Sequence, residues 1–250
     1  MTKPVLAVDH LSKAFGGVDA VVDVSFRVDA GERVALIGPN GAGKTTCFNL
    51  VNGQLVPDAG MVSLLGERIE RLPPRDIARR GVGRTFQVAA TFASMTVREN
   101  VQMALIARRN GQAAVTSRAI DLLRTEADAL LERVRMAKFA DQGCATLAYG
   151  DAKRVELALA LAGAPRLLLM DEPTAGMSPR SRARLMDLAS TLARQENIAV
   201  LFTEHDMDIV FGHADRVIVL DRGRIIAEGT PDEIRANAGV QAVYLGTDEP

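Results

Sequence analysis

The run Gly38-Pro39-Asn40-Gly41-Ala42-Gly43-Lys44-Thr45-Thr46 satisfies the pattern G-x-x-x-x-G-K-[ST] at every required position. Its flanks supply the context that gives the pattern a mechanism. Val34-Ala35-Leu36-Ile37 is a short apolar run of strand type, and Thr46-Cys47-Phe48-Asn49-Leu50-Val51 reads as the opening of a helix. A strand that turns through glycines into a helix can wrap successive backbone N–H groups around phosphate oxygens. The positive helix end adds to that field, Lys44 supplies a cation, and Thr45 can offer its hydroxyl to Mg²⁺. The alternative, a glycine-rich surface turn with a chance lysine, does not explain the flanks. The segment predicts a nucleoside triphosphate site on a fold in which a buried strand feeds a helix.

Bulk properties exclude several other classes. A chain of 250 residues can bury a real core, and its 48% hydrophobic and 24% charged content is that of a soluble globular protein. A net charge of −1 gives no basic field for nucleic acid, and 4% aromatics with no Trp argue against a base-stacking platform. Cys47 and Cys144 lack metal-ligand spacing; Cys47 reads as a small buried residue, and a reducing cytoplasm fits. Met1-Thr2-Lys3-Pro4 leads into a strand-like run without a signal peptide. The apolar stretches 157–164 and 167–170, broken by Pro165 and Arg166, are too short to cross a bilayer, so any crossing is expected from another chain.

Residues 4–37 alternate as strands do, with Val22, Val24, Phe26 and Val28 expected on one face. Helix 43–53, strand 61–65 and strand 82–86 follow. From Thr96 to about Arg135 the chain turns helical, with a break at Gly111-Gln112, and 88–149 reads as a helical insertion. Alternation then resumes: helix 150–163, strand 166–171, helix 179–195, strand 198–203, a short helix near 206–211, strands 215–220 and 223–227, and a last helix from about Asp232. Such βαβ order predicts an α/β fold with a mainly parallel sheet covered on both faces.

Leu167-Leu168-Leu169-Met170-Asp171-Glu172 is an apolar strand ending in two acids. The carboxyl ends of parallel strands open on the ligand crevice, so Asp171 can hold Mg²⁺ and Glu172 can act as general base toward water. With the phosphate loop, the Asp171-Glu172-Pro173-Thr174 run resembles the ATP-binding subunits of ABC transporters. The other marks of that family come in its order. Gln87 in Arg84-Thr85-Phe86-Gln87 matches the Q-loop, Leu147-Ala148-Tyr149-Gly150-Asp151 the signature, Ala175-Gly176-Met177-Ser178 the D-loop, and His205 in Thr203-Glu204-His205-Asp206 the switch histidine. Phe15-Gly16-Gly17, the Tyr149-Gly150 variant and the ending Val243-Tyr244-Leu245-Gly246 are similar to the ATPases of branched-chain amino acid importers.

The resemblance implies a single ABC ATPase domain over 1–250: a P-loop NTPase (RecA-like) core at 1–87 and 150–236, with an N-terminal antiparallel β region, a helical subdomain at 88–149 and a C-terminal extension at 237–250. It implies head-to-tail dimers, of identical or related chains, with ATP and Mg²⁺ sandwiched between them. Glu172, His205, Gln87 and Lys44 are the expected catalytic residues. Phe15, Gly38, Pro39, Asn40, Gly41, Ala42, Gly43, Lys44, Thr45, Thr46, Tyr149 and Gly150 are expected to bind nucleotide, and Thr45, Gln87 and Asp171 to serve the metal. The chain departs from the family pattern at Ala148 (usually Ser), Asp151 (usually Gln) and Ser178 (usually Asp). Asp151 is read as capping its own helix, with Lys153 and Arg154 offsetting its charge.

Implied partners are transmembrane permease subunits, docking in a groove near 86–95 with Phe86, Phe92 and Met95, and indirectly a periplasmic substrate-binding protein. The implied location is the cytoplasmic face of the inner membrane. The runner-up functions are a lipid or lipopolysaccharide exporter ATPase, which shares the Tyr-Leu-Gly ending, and a soluble non-transport ABC ATPase, which would want a coiled-coil insertion or a second cassette.

Overall fold

The computed structural model describes residues 3–85, 91–109 and 117–245. Phe86, Gln87, the break at Gly111-Gln112 and Gly246 lie outside the described residues. Strands β1 (Leu6–Phe15) and β2 (Val18–Val28) form an antiparallel pair. Then come β3 (Arg33–Ile37), helix α1 (Lys44–Val51), and strands β4 (Ala59–Leu64) and β5 (Glu67–Arg68). The antiparallel sheet runs in the order β2-β1-β4-β5. The buried face of β2 differs from the one expected from the sequence. Val22 does not join Val24, Phe26 and Val28 on the buried face; Val21 is buried instead. The register with β1 slips between Val24 and Val21, and Asp23 stands at φ 54°, so a bulge reverses the alternation.

Helix α2 (Pro74–Arg79) leads into strand β6 (Val82–Thr85). Helix α3 (Val97–Arg108) opens on a capping box in which Thr96 and Glu99 satisfy each other's backbone N–H. After α4 (Ser117–Arg133) and α5 (Tyr149–Ala162) the chain enters β7 (Leu167–Asp171). Helix α6 (Pro179–Glu196) starts with proline in its first turn and ends at Asn197 in the left-handed region. Strand β8 (Ala199–Thr203), helix α7 (Met207–His213) and strands β9 (Arg216–Asp221) and β10 (Arg224–Gly229) follow. The expected last helix is two: α8 (Pro231–Ala236), capped by Thr230, and α9 (Ala238–Leu245), separated by Asn237 in extended geometry. No helix of the described residues is long and apolar enough to cross a membrane.

The central sheet has the order β10-β9-β3-β8-β7-β6, parallel except for the β9–β10 hairpin. Its strands read as unbroken apolar runs because both faces are buried. Ala35, Leu168, Met170, Val200 and Phe202 join α3 to α6 in one core; Val34, Leu36, Leu167, Leu169 and Leu201 join α1 and the antiparallel sheet in the other. Two pairings within this sheet matter for function. The parallel pairing of Asp171 with Thr203, and of β3 with β8, sets the carboxyl ends of β3, β7 and β8 side by side. The phosphate loop, the acid pair and the segment Glu204-His205-Asp206 therefore open on one crevice.

Candidate active site

Between β3 and α1 the backbone is pinned in a shape that side chains would forbid. A Cβ on Gly38 would stand 2.2 Å from the Leu220 carbonyl oxygen, and one on Gly43, at φ 101°, 2.3 Å from that of Ala20. Gly223 donates its N–H to the Ala42 carbonyl, tying the loop to the β9–β10 turn. Gly43 caps α1 without a side-chain bond, so the first-turn N–H groups at Lys44, Thr45 and Thr46 have no intrahelical acceptor. These donors, with the helix dipole behind them, make an anion cradle. Lys44 is buried and donates Nζ to the carbonyls of Gly38 (2.6 Å) and Pro39 (3.0 Å). Burial depresses its ammonium pKa, while the negative charges of Glu172 and Asp171 pull it back up. An arriving phosphate would give that ammonium a full counter-charge in place of carbonyl dipoles.

At the end of β7, Asp171 accepts from the Thr203 hydroxyl (2.8 Å) and meets Arg84 Nη2 at 3.4 Å. Arg84 also donates Nη1 to Asn49 (3.2 Å) and Gln54 (3.1 Å), fixing it between α1 and β7. The Thr203 oxygen accepts the Glu172 N–H at 3.0 Å, which holds the turn after β7 to β8. Glu172 itself sits at φ 46°, an uncommon conformation for a residue with a Cβ, costing about 1–3 kcal/mol. That turn swings its carboxylate to His205, whose Nε2 donates to Oε1 at 2.8 Å. A carboxylate hydrogen-bonded to an imidazole, beside a lysine and a second carboxylate, can accept a proton from water while the imidazole fixes its direction.

Behind this pair Glu204 is buried and accepts the Thr174 N–H at 2.8 Å. Burial pushes its carboxyl above the ordinary value of 4.5, with the Glu172 charge adding to the rise; hydrogen bonds from Thr174 and the His205 backbone oppose it. The ionised form is thus disfavoured by folding, and Glu204 withdraws stability as pH climbs through its raised pKa. A Glu204→Gln substitution keeps an acceptor for Thr174 and removes that penalty. Its melting temperature should match the parent near pH 4 and exceed it at pH 7. A difference that does not change with pH would contradict this reading.

At the start of α5, Ala148 is the cap residue and makes no side-chain bond, so Asp151 does not cap its helix as expected. Its partner is Arg154 at 3.4 Å, whereas Lys153 is turned inward to Glu156 at 2.9 Å. Tyr149 is exposed, and Gly150 faces Met177 and Ser181, where a Cβ would lie at ordinary contact distances of 3.4 and 3.8 Å. Packing within the chain therefore does not dictate glycine at 150. Ser178 donates its hydroxyl to Ser181 at 3.0 Å. Phe15, half exposed at the end of β1, has the Lys13 ammonium 5.6 Å from its ring centre.

The crevice thus joins Gly38 to Thr46, Asp171, Glu172 and His205. Tyr149 and Gly150 pack instead against the segment that follows Glu172, and Phe15 sits at the tip of the antiparallel sheet. Sequence reasoning did not single out Arg84, Thr203 or Glu204. Each flanks a named motif in the chain, but their mutual pairing depends on strands brought together only by the fold. Cys47 is fully buried directly under the loop, its thiol pushed up to about 12 by burial and inert as a nucleophile.

Comparison with known proteins agrees with this geometry. A family model described as ABC transporter matches residues 21–175, and one described as branched-chain amino acid ATP-binding cassette transporter matches 224–250. The high-affinity branched-chain amino acid transport ATP-binding protein BraF of Pseudomonas aeruginosa is 40% identical, with 98% of this chain and 99% of that protein covered. The lipopolysaccharide export system ATP-binding protein LptB of Escherichia coli is 37% identical over 97% of this chain and 98% of its own. Among solved structures, the ADP conformation of MJ1267, an ATP-binding cassette of an ABC transporter, superposes with a TM-score of 0.86 at 28% identity, covering 98% of this chain and 100% of that one. A chain matched over nearly its full length by such cassettes, with a phosphate loop and an acid pair opening on one crevice, belongs to the ABC transporter family.

Proposed function

We propose that this ABC transporter ATPase powers the uptake of branched-chain or other hydrophobic amino acids. The 2.8 Å bond between His205 and Glu172, beside Lys44 and Asp171, carries the hydrolytic part of that reading. The backbone of Gly38, Pro39, Asn40, Gly41, Ala42 and Gly43, with Lys44, Thr45 and Thr46, receives the β- and γ-phosphates. Glu172 takes the proton from the attacking water, and His205 keeps carboxylate and water aligned. Thr45 is exposed at the crevice and Asp171 presents carboxylate oxygens to it, an all-oxygen donor set that fits Mg²⁺. Together with Gln87 they would hold that ion, which would supply positive charge to offset that on the transferred phosphoryl group.

The uncapped start of α5 is the natural place for the γ-phosphate of a second subunit's ATP, met by the Tyr149 and Gly150 N–H groups. Room for a Cβ at Gly150 inside the chain supports a constraint from outside it. Phe15 stacks on adenine. The membrane-embedded permease docks near residues 86–95; a groove of about 960 Å³ between α2, β6, α3 and α5, lined by Ile77, Val82, Ala104 and Leu159 but by none of the described residues of that stretch, offers it further apolar surface. Phe92 and Met95 stand at the approach to α3, where buried Asn100 holds the Phe92 backbone by both its N–H (2.7 Å) and its carbonyl (3.1 Å). The protein then works at the cytoplasmic face of the inner membrane, with a periplasmic binding protein delivering substrate to the permease.

The C-terminal match to the branched-chain model and the higher identity to BraF favour uptake over the export role named for LptB. Reconstitution with the neighbouring-gene permeases and binding protein in vesicles tests the choice. ATP-dependent accumulation of labelled leucine or valine is the expected result. Association with a lipid-extracting permease and no amino acid flux would replace uptake with export.

A further inference from the structure

We propose that Arg182 is a positioning residue for hydrolysis, clamping the turn after β7 to the loop that carries His205. The inference rests on the hydrolytic reading above and extends it to a side chain outside every family motif. Arg182 sits in the first turn of α6. Its Nε donates to the Met177 carbonyl at 2.8 Å, and its Nη1 to Asp206 Oδ2, also at 2.8 Å. Asp206 is the residue after His205, and its other oxygen caps α7 by accepting from the Asp208 N–H at 3.1 Å. Met177 donates its N–H to Thr174, and Ala175 donates to the Glu172 carbonyl, so the same turn that holds Glu172 ends on the clamp.

These contacts close a ring. It runs from Glu172 along the turn to Met177, across Arg182 to Asp206, back one residue to His205, and over the 2.8 Å bond to Glu172 again. Glu204 braces the ring from inside through the Thr174 N–H. Arg182 fastens the far end of the His205 loop, at Asp206, whereas Thr203 and the Glu204 brace hold the turn after β7 on the side before His205. Displacements of about 1 Å at a reacting group cost on the order of a hundredfold in rate, so a clamp of this kind is felt in turnover. Its own stability contribution is small, because Arg182 and Asp206 are each about one-third exposed, where solvent screens an ion pair. The structure further sets Met177 against Gly150, so the signature turn leans on the same clamp.

The test is a set of variants assayed for ATP turnover, ATP affinity and melting temperature. Arg182→Ala should lower kcat about tenfold, leave KM and melting temperature near parental values, and recover partly in Arg182→Lys, which can reach one acceptor. In a His205→Ala background, Arg182→Ala should produce no further loss, because the clamp acts through His205. Unchanged kcat in Arg182→Ala, or an equal loss with and without His205, overturns the proposal. Glu172→Gln is run alongside as control. If it keeps parental turnover, the hydrolytic reading itself falls; if it is inactive while Arg182→Ala is parental, the clamp alone falls.

Discussion

Glu172→Gln should cut ATP turnover by about a thousandfold, within the range of roughly 10²–10⁴ supplied by a positioned general base. The amide oxygen of glutamine can still accept from His205 Nε2, so the 2.8 Å contact and the left-handed turn at Glu172 need not move. Basicity is lost while geometry is kept. ATP affinity should therefore stay close to the parent's, and ATP-loaded protein should accumulate as a dimer in sedimentation, since hydrolysis no longer releases it. A variant with low turnover and equally low ATP affinity would show that Glu172 serves binding and not proton transfer. Parental turnover would move the base elsewhere in the crevice.

Lys44→Ala is expected to act earlier, on nucleotide capture. Lys44 is buried with its ammonium on the Gly38 and Pro39 carbonyls, and the charges of Glu172 and Asp171 already reach it. Two carboxylates facing a site meant for an anionic ligand repel that ligand unless a cation stands between them. Removing a preorganised donor of this kind costs about 10²–10³. Affinity for ATP should fall by at least about a hundredfold, and turnover at ordinary ATP concentrations with it. Titration with a fluorescent ATP analogue reads the first, phosphate release the second. Circular dichroism should show the fold intact, because Cys47, Phe48, Leu50 and Val51 supply the core contacts of α1. Undiminished affinity would mean that the loop backbone alone binds nucleotide.

Much of the fold was legible because each signal was local. The apolar runs at 34–37, 167–170 and 199–202 announce strands buried on both faces, and the glycines at 38 and 43 announce a turn that a Cβ would block. Asp171 and Glu172 could be placed because a strand's carboxyl end is readable from where its apolar run stops. Other features required partners that the sequence does not show. The bulge at Asp23 inverts the alternation of β2 only because β1 is paired beside it. Lys153 reads as a counter-ion for Asp151, one helical turn from several choices, yet burial turns it to Glu156. Thr203, Glu204, Arg84 and Arg182 carry ordinary side chains near named motifs; their roles arise from hydrogen bonds across 24 to 87 positions of chain.

The central claim, that a triphosphate seated on the Lys44 loop is cleaved by water activated at Glu172, is tested most directly by recovering bound nucleotide. Parent and Glu172→Gln protein are incubated with γ-labelled ATP and Mg²⁺, freed of unbound nucleotide and quenched. The account predicts ADP on the parent and intact, labelled ATP on the variant. ADP recovered from Glu172→Gln as quickly as from the parent would contradict it.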